Sequence, residues 1–144
     1  MQIVHRPSES RSRALLSACD LPTADLKSRH FDHFWGWGSV EDPQGVIGLE
    51  LYDSVALLRS LAVAAEVRGT GVGKALVAAA EDYAQTEGVQ ALYLLTTTAA
   101  EFFARLGYGL ADRDSAPESI KATREFSGLC PSSATFMMKQ LRQS

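Results

Sequence analysis

Residues 67–76, VRGTGVGKAL, set Gly69, Gly71 and Gly73 at alternate positions between Arg68 and Lys74, just ahead of a helical apolar pattern. Such a loop is suited to holding a phosphate. Glycines let the backbone come close, consecutive N–H groups point at the anion, and the helix dipole adds favourable potential. Two common phosphate loops are excluded by the residues themselves. An NTP-hydrolysing loop, G-x-x-x-x-G-K-[ST], needs glycine where Arg68 stands and a magnesium-holding hydroxyl where Ala75 stands. A dinucleotide turn needs G-x-G-x-x-G after the first strand, whereas here the spacing is G-x-G-x-G and at least two strand-like segments precede it.

A third pattern fits. [QR]-x-x-G-x-[GA] is met by Arg68, Gly71 and Gly73, after a strand ending LAV and before a long helix. This resembles the acetyl-CoA loop of the GNAT family of N-acetyltransferases. Family members often carry N-x-x-A-x-x-x-Y-x-x-x-G-[FY] downstream, and here that register reads Thr96, Ala99, Phe103, Gly107 and Tyr108. Ala99, Gly107 and Tyr108 match; Thr96 and Phe103 depart. The blocks HFWG, LLRSLAV, LYLLTTTAAEFFARLGY and IKATREFSGLCPSSA further resemble the small GNAT proteins encoded with arsenic-resistance genes.

The resemblance implies roles. The backbone of Leu61, Ala62 and Val63, at a splayed strand end, would pair with pantetheine as a sheet edge accepts a strand. The N–H groups of Arg68, Gly69, Thr70, Gly71, Val72, Gly73 and Lys74 would hold the pyrophosphate. An N–H near Val63 would polarise the thioester carbonyl, and Thr96, Phe102 and Phe103 would line the donor site. The co-substrate is acetyl-CoA, no metal is expected, and the acceptor is a small-molecule amine, amino-acid-like or arsenic-containing. The alternative is a CoA- or metalloid-responsive binding protein with little or no acetyl transfer.

Transfer from a thioester to an amine also needs the amine to be neutral. Histone-acetylating relatives carry a glutamate at the position of Leu57. The nearest carboxylate on a neighbouring strand is Glu50, flanked by Gly48, Leu49 and Leu51, which either serves as base or faces solvent. Phe103 occupies the position of the usual general-acid tyrosine and cannot donate a proton. Solvent, or a hydroxyl of Tyr93, Thr96, Thr97 or Tyr108, is left to protonate the thiolate. Arg59 and Ser60 are candidates for substrate contact, Arg59 through a carboxylate clamp or else as the partner of Glu50 or Glu125. Arg124, with Lys121 and Glu125, sits in a polar connection suited to closing over substrate. Cys130, a lone thiol, is either packed or a metalloid contact.

The elements that must position these residues follow from pattern. Residues 8–19 read as a helix with Leu15, Leu16 and Cys19 on one side, and LPTADL at 21–26 as a second helix start. Residues 33–40, 45–53 and 55–63 read as antiparallel strands separated by EDPQG and DS. Residues 73–87 form a helix presenting Leu76, Ala80, Tyr83 and Ala84 and stopped by Gly88. A strand at 89–98, a short helix at 99–107, a long connection over 109–131 and a strand at 133–141 complete the order. The fold class is α+β, with a mixed, mostly antiparallel sheet, a parallel crossover around the central helix, and helices on both faces.

Bulk properties bound the remainder. At 144 residues the chain is one domain, 1–144. The net charge of −3 gives no nucleic-acid footprint and no polybasic membrane patch. The opening MQIVHRPSES has no apolar h-region, and Cys19 and Cys130 form no CxxC motif, so a cytoplasmic setting is expected. The closing strand SATFMMKQL is a candidate sheet edge for a homodimer.

Overall fold

A computed structural model describes residues 2–21, 23–123, 126 and 134–141. The chain divides into two compact units, Met1–Glu50 with Leu58–Tyr83, and Leu51–Leu57 with Ala84–Ser144. The strands run in the order Ile3–His5, Phe34–Gly38, Pro43–Tyr52, Val55–Val63, Ala91–Thr96, Thr135–Gln140 and Gly109–Leu110.

The first unit holds β1 (Ile3–His5), α1 (Glu9–Ala18), β2 (Phe34–Gly38), most of β3 (Pro43–Tyr52) and β4 (Val55–Val63), and most of α2 (Val72–Thr86). Strands β1 and β2, and β2 and β3, pair antiparallel. Strand side chains alternate between faces, and β3 shows what that does here. Val46 packs with Leu16 of α1, Leu26, Phe31, Phe34 and Ala62. A Cβ at the neighbouring Gly45 would stand 3.0 Å from Leu76 and Val72 of α2. Helices α1 and α2 therefore cover opposite faces of this part of the sheet. Ser8 caps α1, its hydroxyl accepting from the Arg11 N–H at 3.3 Å. Leu76, Ala80 and Ala84 of α2 are wholly buried, and Tyr83 meets Trp35 with ring centroids 5.0 Å apart. Burying a leucine such as Leu76 contributes about 1.5–3 kcal/mol.

The second unit contains β5 (Ala91–Thr96), α3 (Ala100–Arg105), β6 (Gly109–Leu110), α4 (Glu118–Lys121) and β7 (Thr135–Gln140). The start of β4 runs parallel to β5, Val55–Leu57 against Ala91–Tyr93. That register is the expected crossover. Leu57, Ala116, Ile120 and Phe136 form this unit's apolar cluster, with Tyr93 and Phe126 packed against it. Gly107, at φ 100, ends α3 in the left-handed conformation that favours glycine.

Two expectations are corrected. Leu21 and residues 23–26 are not helical; Ala24 and Asp25 form a turn, Leu26 N–H bonding to the Thr23 carbonyl at 3.0 Å, and a 3₁₀ segment follows at Ser28–His33. The cause is tertiary, because Leu26 is drawn into the core and Asp25 into an ion pair. The closing strand is not an edge: β7 lies between β5 and β6, and the two-residue β6 takes the edge position. Within its described residues the long connection over 109–131 carries β6, a 3₁₀ turn at Arg113–Ser115 and α4.

Candidate functional site

Strand β4 leads directly into the glycine loop. Eight of its nine residues keep φ negative, but Ser60 adopts φ 62, a left-handed value unusual for a non-glycine. Such a residue costs about 1–2 kcal/mol, and inside a strand it bends the backbone as a bulge does. Leu61, Ala62 and Val63 follow this bend. After a 3₁₀ turn at Ala65–Val67 come Gly69 at φ 79 and Gly71 at φ 92, neither with any atom within 4 Å of a built Cβ. Since a Cβ would meet no atom, it is the positive φ and not lack of room that explains glycine at both positions. The α2 ladder begins with Ala75 N–H to the Gly71 carbonyl at 3.0 Å, so the N–H groups of Val72, Gly73 and Lys74 precede it at the positive end of a 15-residue helix. Val72 is buried and anchors the turn, whereas Arg68, Gly69, Thr70, Gly71 and Lys74 are exposed. Thr70 Oγ1 donates to the Val67 carbonyl, and Arg68 Nε donates to the Val63 carbonyl at 2.9 Å. Arg68 Nη2 also lies 3.5 Å from Cys19 Sγ.

The same strand carries the centre of a buried ionic cluster. Arg59 Nη1 and Nη2 reach Asp25 Oδ2 and Oδ1 at 2.5 and 3.0 Å, Nη1 also reaches Glu50 Oε2 at 2.7 Å, and Nε donates to Ser60 Oγ at 3.0 Å. The Arg59, Asp25 and Glu50 side chains are 1%, 6% and 11% exposed. Glu50 therefore faces its arginine rather than solvent, and of the two roles read for Arg59 the pairing with Glu50 is the one present. Burial pushes the Asp25 carboxyl up, and the Arg59 hydrogen bonds and charge more than offset it, leaving it below the usual aspartate value. Nearby His30 is held below its ordinary value, chiefly by burial and against the pull of the Glu50 charge. Its Nδ1 accepts the Lys27 N–H at 2.8 Å, so the neutral ring carries its proton on Nε2.

The other expected residues belong to the second unit. Thr96 Oγ1 accepts the Ala99 N–H at 2.9 Å, joining β5 to α3. Phe103 is 6% exposed and meets Phe102 and Tyr108 edge-on, with centroids 5.1 and 5.5 Å away. Leu57 is wholly buried in an apolar cluster, where a carboxylate would be desolvated without a partner. Arg124, Glu125 and Cys130 lie outside the described residues. Lys121 donates to the Asp114 carbonyl at 3.0 Å. Among the described residues no group of three or more His, Cys, Asp or Glu side chains could hold a metal ion, and no helix is long and apolar enough to cross a membrane.

Sequence reading missed Asp25 and the bend at Ser60. Asp25 sits 34 positions from Arg59 in a segment read as a helix start, and no local signal marks the pairing. A serine carries no mark of positive φ either.

A mostly antiparallel sheet with helices, one strand of which feeds a glycine loop at a helix N-terminus, defines an α+β fold. The acetyltransferase (GNAT) family matches residues 3–108, and the chain belongs to that family. An uncharacterized N-acetyltransferase of Chlorobaculum tepidum is 39% identical over 66 residues, 46% of this chain and 42% of that protein. N-acetylglutamate synthase from Neisseria gonorrhoeae, complexed with coenzyme A and N-acetyl-glutamate, is similar with TM-score 0.84 at 20% identity, over 99% of this chain and 35% of that one. Rv2747 from Mycobacterium tuberculosis, in complex with CoA and NLQ, is similar with TM-score 0.77 at 19% identity, over 99% of this chain and 100% of that one. These structural likenesses show the fold. The chain spans less than half the length of the first two relatives.

Proposed function

We propose that this chain is an acetyl-CoA-dependent N-acetyltransferase acting on the amine of a small molecule, with residues 1–144 acting as one domain. The observation that carries the reading is the loop after β4, where two left-handed glycines bring the N–H groups of Val72, Gly73 and Lys74 to the mouth of α2. That end of a helix favours a pyrophosphate. Leu61, Ala62 and Val63 would offer their backbone to the pantetheine arm, with the N–H near Val63 polarising the thioester carbonyl. Removing one such donor typically costs about 3 kcal/mol of barrier stabilisation.

Glu50 is the group we assign as base, directly or through water. The acceptor's ammonium gives it a proton, and the neutral nitrogen forms the C–N bond. As the C–S bond breaks with its electron pair leaving on sulfur, that nitrogen loses a second proton to water, so the proton solvent gives the thiolate is balanced. Phe103 offers no proton, so solvent protonates the thiolate. Because the Arg59 guanidinium is engaged by Asp25 and Glu50, contact with the acceptor falls to Ser60 and Arg124 in this reading. The resemblance carried by IKATREFSGLCPSSA supports an arsenic-resistance setting in the cytoplasm, and for that setting we propose an acceptor that is amino-acid-like or arsenic-containing. A homodimer would use the β6 edge, where Leu110 is 81% exposed. Phe103 and Leu57 favour the second reading, a CoA- or metalloid-responsive binder with little turnover.

The test is mass spectrometry of a mixture holding acetyl-CoA, the twenty L-amino acids, aliphatic amines and arsenic-bearing amino acids. Acetylated product that requires the protein supports transfer; acetyl-CoA binding with no acetylated amine supports the binder.

A further inference from the structure

Asp25 sits in a turn between α1 and β2, where an aspartate would ordinarily meet water. Its side chain is instead 6% exposed, because it grips the Arg59 guanidinium with both oxygens. Burying a carboxylate this far is costly without a partner, and a bidentate arginine is the strongest one a protein offers. The same guanidinium meets Glu50 through Nη1 and Ser60 through Nε. One side chain thus ties the turn to the carboxylate read as base and to the residue at which β4 bends.

We propose that Asp25 is a positioning residue for acetyl transfer: by holding Arg59 from the far side, it limits the guanidinium's grip on Glu50 and leaves that carboxylate able to take the acceptor's proton. The inference rests on the reading of Glu50 as base. Two carboxylates sharing one guanidinium each receive less stabilisation of the ionised form, and each repels the other's charge. Without the Asp25 charge, more of the Arg59 guanidinium's stabilisation would fall to Glu50, and Glu50 would be a weaker base. Among the described residues, the charged and titratable groups shown to act on Glu50 or its arginine include Arg59 from β4, Asp25 from the turn and His30 from the 3₁₀ segment. His30 does not replace it as base, since its Nδ1 is occupied by the Lys27 N–H.

Asp25→Asn, Asp25→Glu and Glu50→Gln, each as the full chain, are assayed with acetyl-CoA and the mixture of twenty L-amino acids, across pH and beside a melting curve. Asp25→Asn is expected to lower kcat about tenfold and to move the acidic limb of kcat/KM to lower pH, with the acetyl-CoA KM changed less than about twofold. A packing role alone would lower the melting midpoint without moving that limb. Asp25→Glu keeps the charge, so its kcat is expected within about threefold of wild type even where its melting midpoint is lower. Asp25→Asn with an unmoved limb and undiminished kcat, or a folded Asp25→Glu as slow as Glu50→Gln, would overturn the proposal. Full activity in Glu50→Gln would overturn the base assignment and the proposal with it. No acetylated product from wild type would overturn the acetyl-transfer reading beneath both.

Discussion

Arg68 folds back across its own loop, Nε donating to the Val63 carbonyl at 2.9 Å. The contact ties the start of the glycine loop to the end of the stretch proposed to receive pantetheine. A loop held at both ends loses less freedom when an anion arrives.

Replacing Arg68 by alanine removes that tie and the loop's first cation together. The acetyl-CoA KM is expected to rise about tenfold, or about 1.4 kcal/mol, while the melting midpoint moves little because the side chain is exposed. Initial-rate kinetics and a melting curve check both halves.

Gly48 has no room for a methyl group. A Cβ there would sit against the ring of Phe34, closer than carbon atoms approach, and that ring is 1% exposed. Gly48→Ala is expected to destabilise the fold by about 1–3 kcal/mol, read as a lower urea midpoint. Phe34→Leu in the same chain should return part of the loss, because it removes the atoms that clash.

Glu50→Gln keeps the shape of the side chain and removes its charge. If Glu50 takes the acceptor's proton, kcat should fall more than about tenfold, with the acetyl-CoA KM nearly unchanged. A loss smaller than that, in a folded variant, removes Glu50 as the base.

Acid should weaken the fold in two stages. His30 has a folded value below its ordinary 6.5, so the unfolded chain takes up the proton first. Its contribution is fully present above about 6.5 and is lost as pH falls through the window beneath. Asp25 lies below its ordinary 3.8, and its contribution is present above that value and lost on further acidification. Urea unfolding against pH should show both losses, and His30→Gln should remove the first.

Much of this was legible in the sequence, for physical reasons that differ by element. The 55–63 run is β4 residue for residue, because a β-rich run bounded by a turn and a glycine loop has few alternatives. Helix α2 and its buried Leu76, Ala80 and Ala84 followed from spacing alone. Strands β1 and β6 escaped notice because three and two residues are too few to show a period. The glycine loop was readable since its φ demands are written in residue type. Ser60 and Asp25 were not, because a left-handed serine and a buried ion pair are imposed by residues distant in sequence.

The measurement closest to the central claim is mass spectrometry of the purified protein with acetyl-CoA and the amine mixture. An acetylated amine is expected to form only with the protein present, and to form more slowly in Arg68→Ala at limiting acetyl-CoA. Tight acetyl-CoA binding with no acetylated amine from any member of the mixture would contradict it.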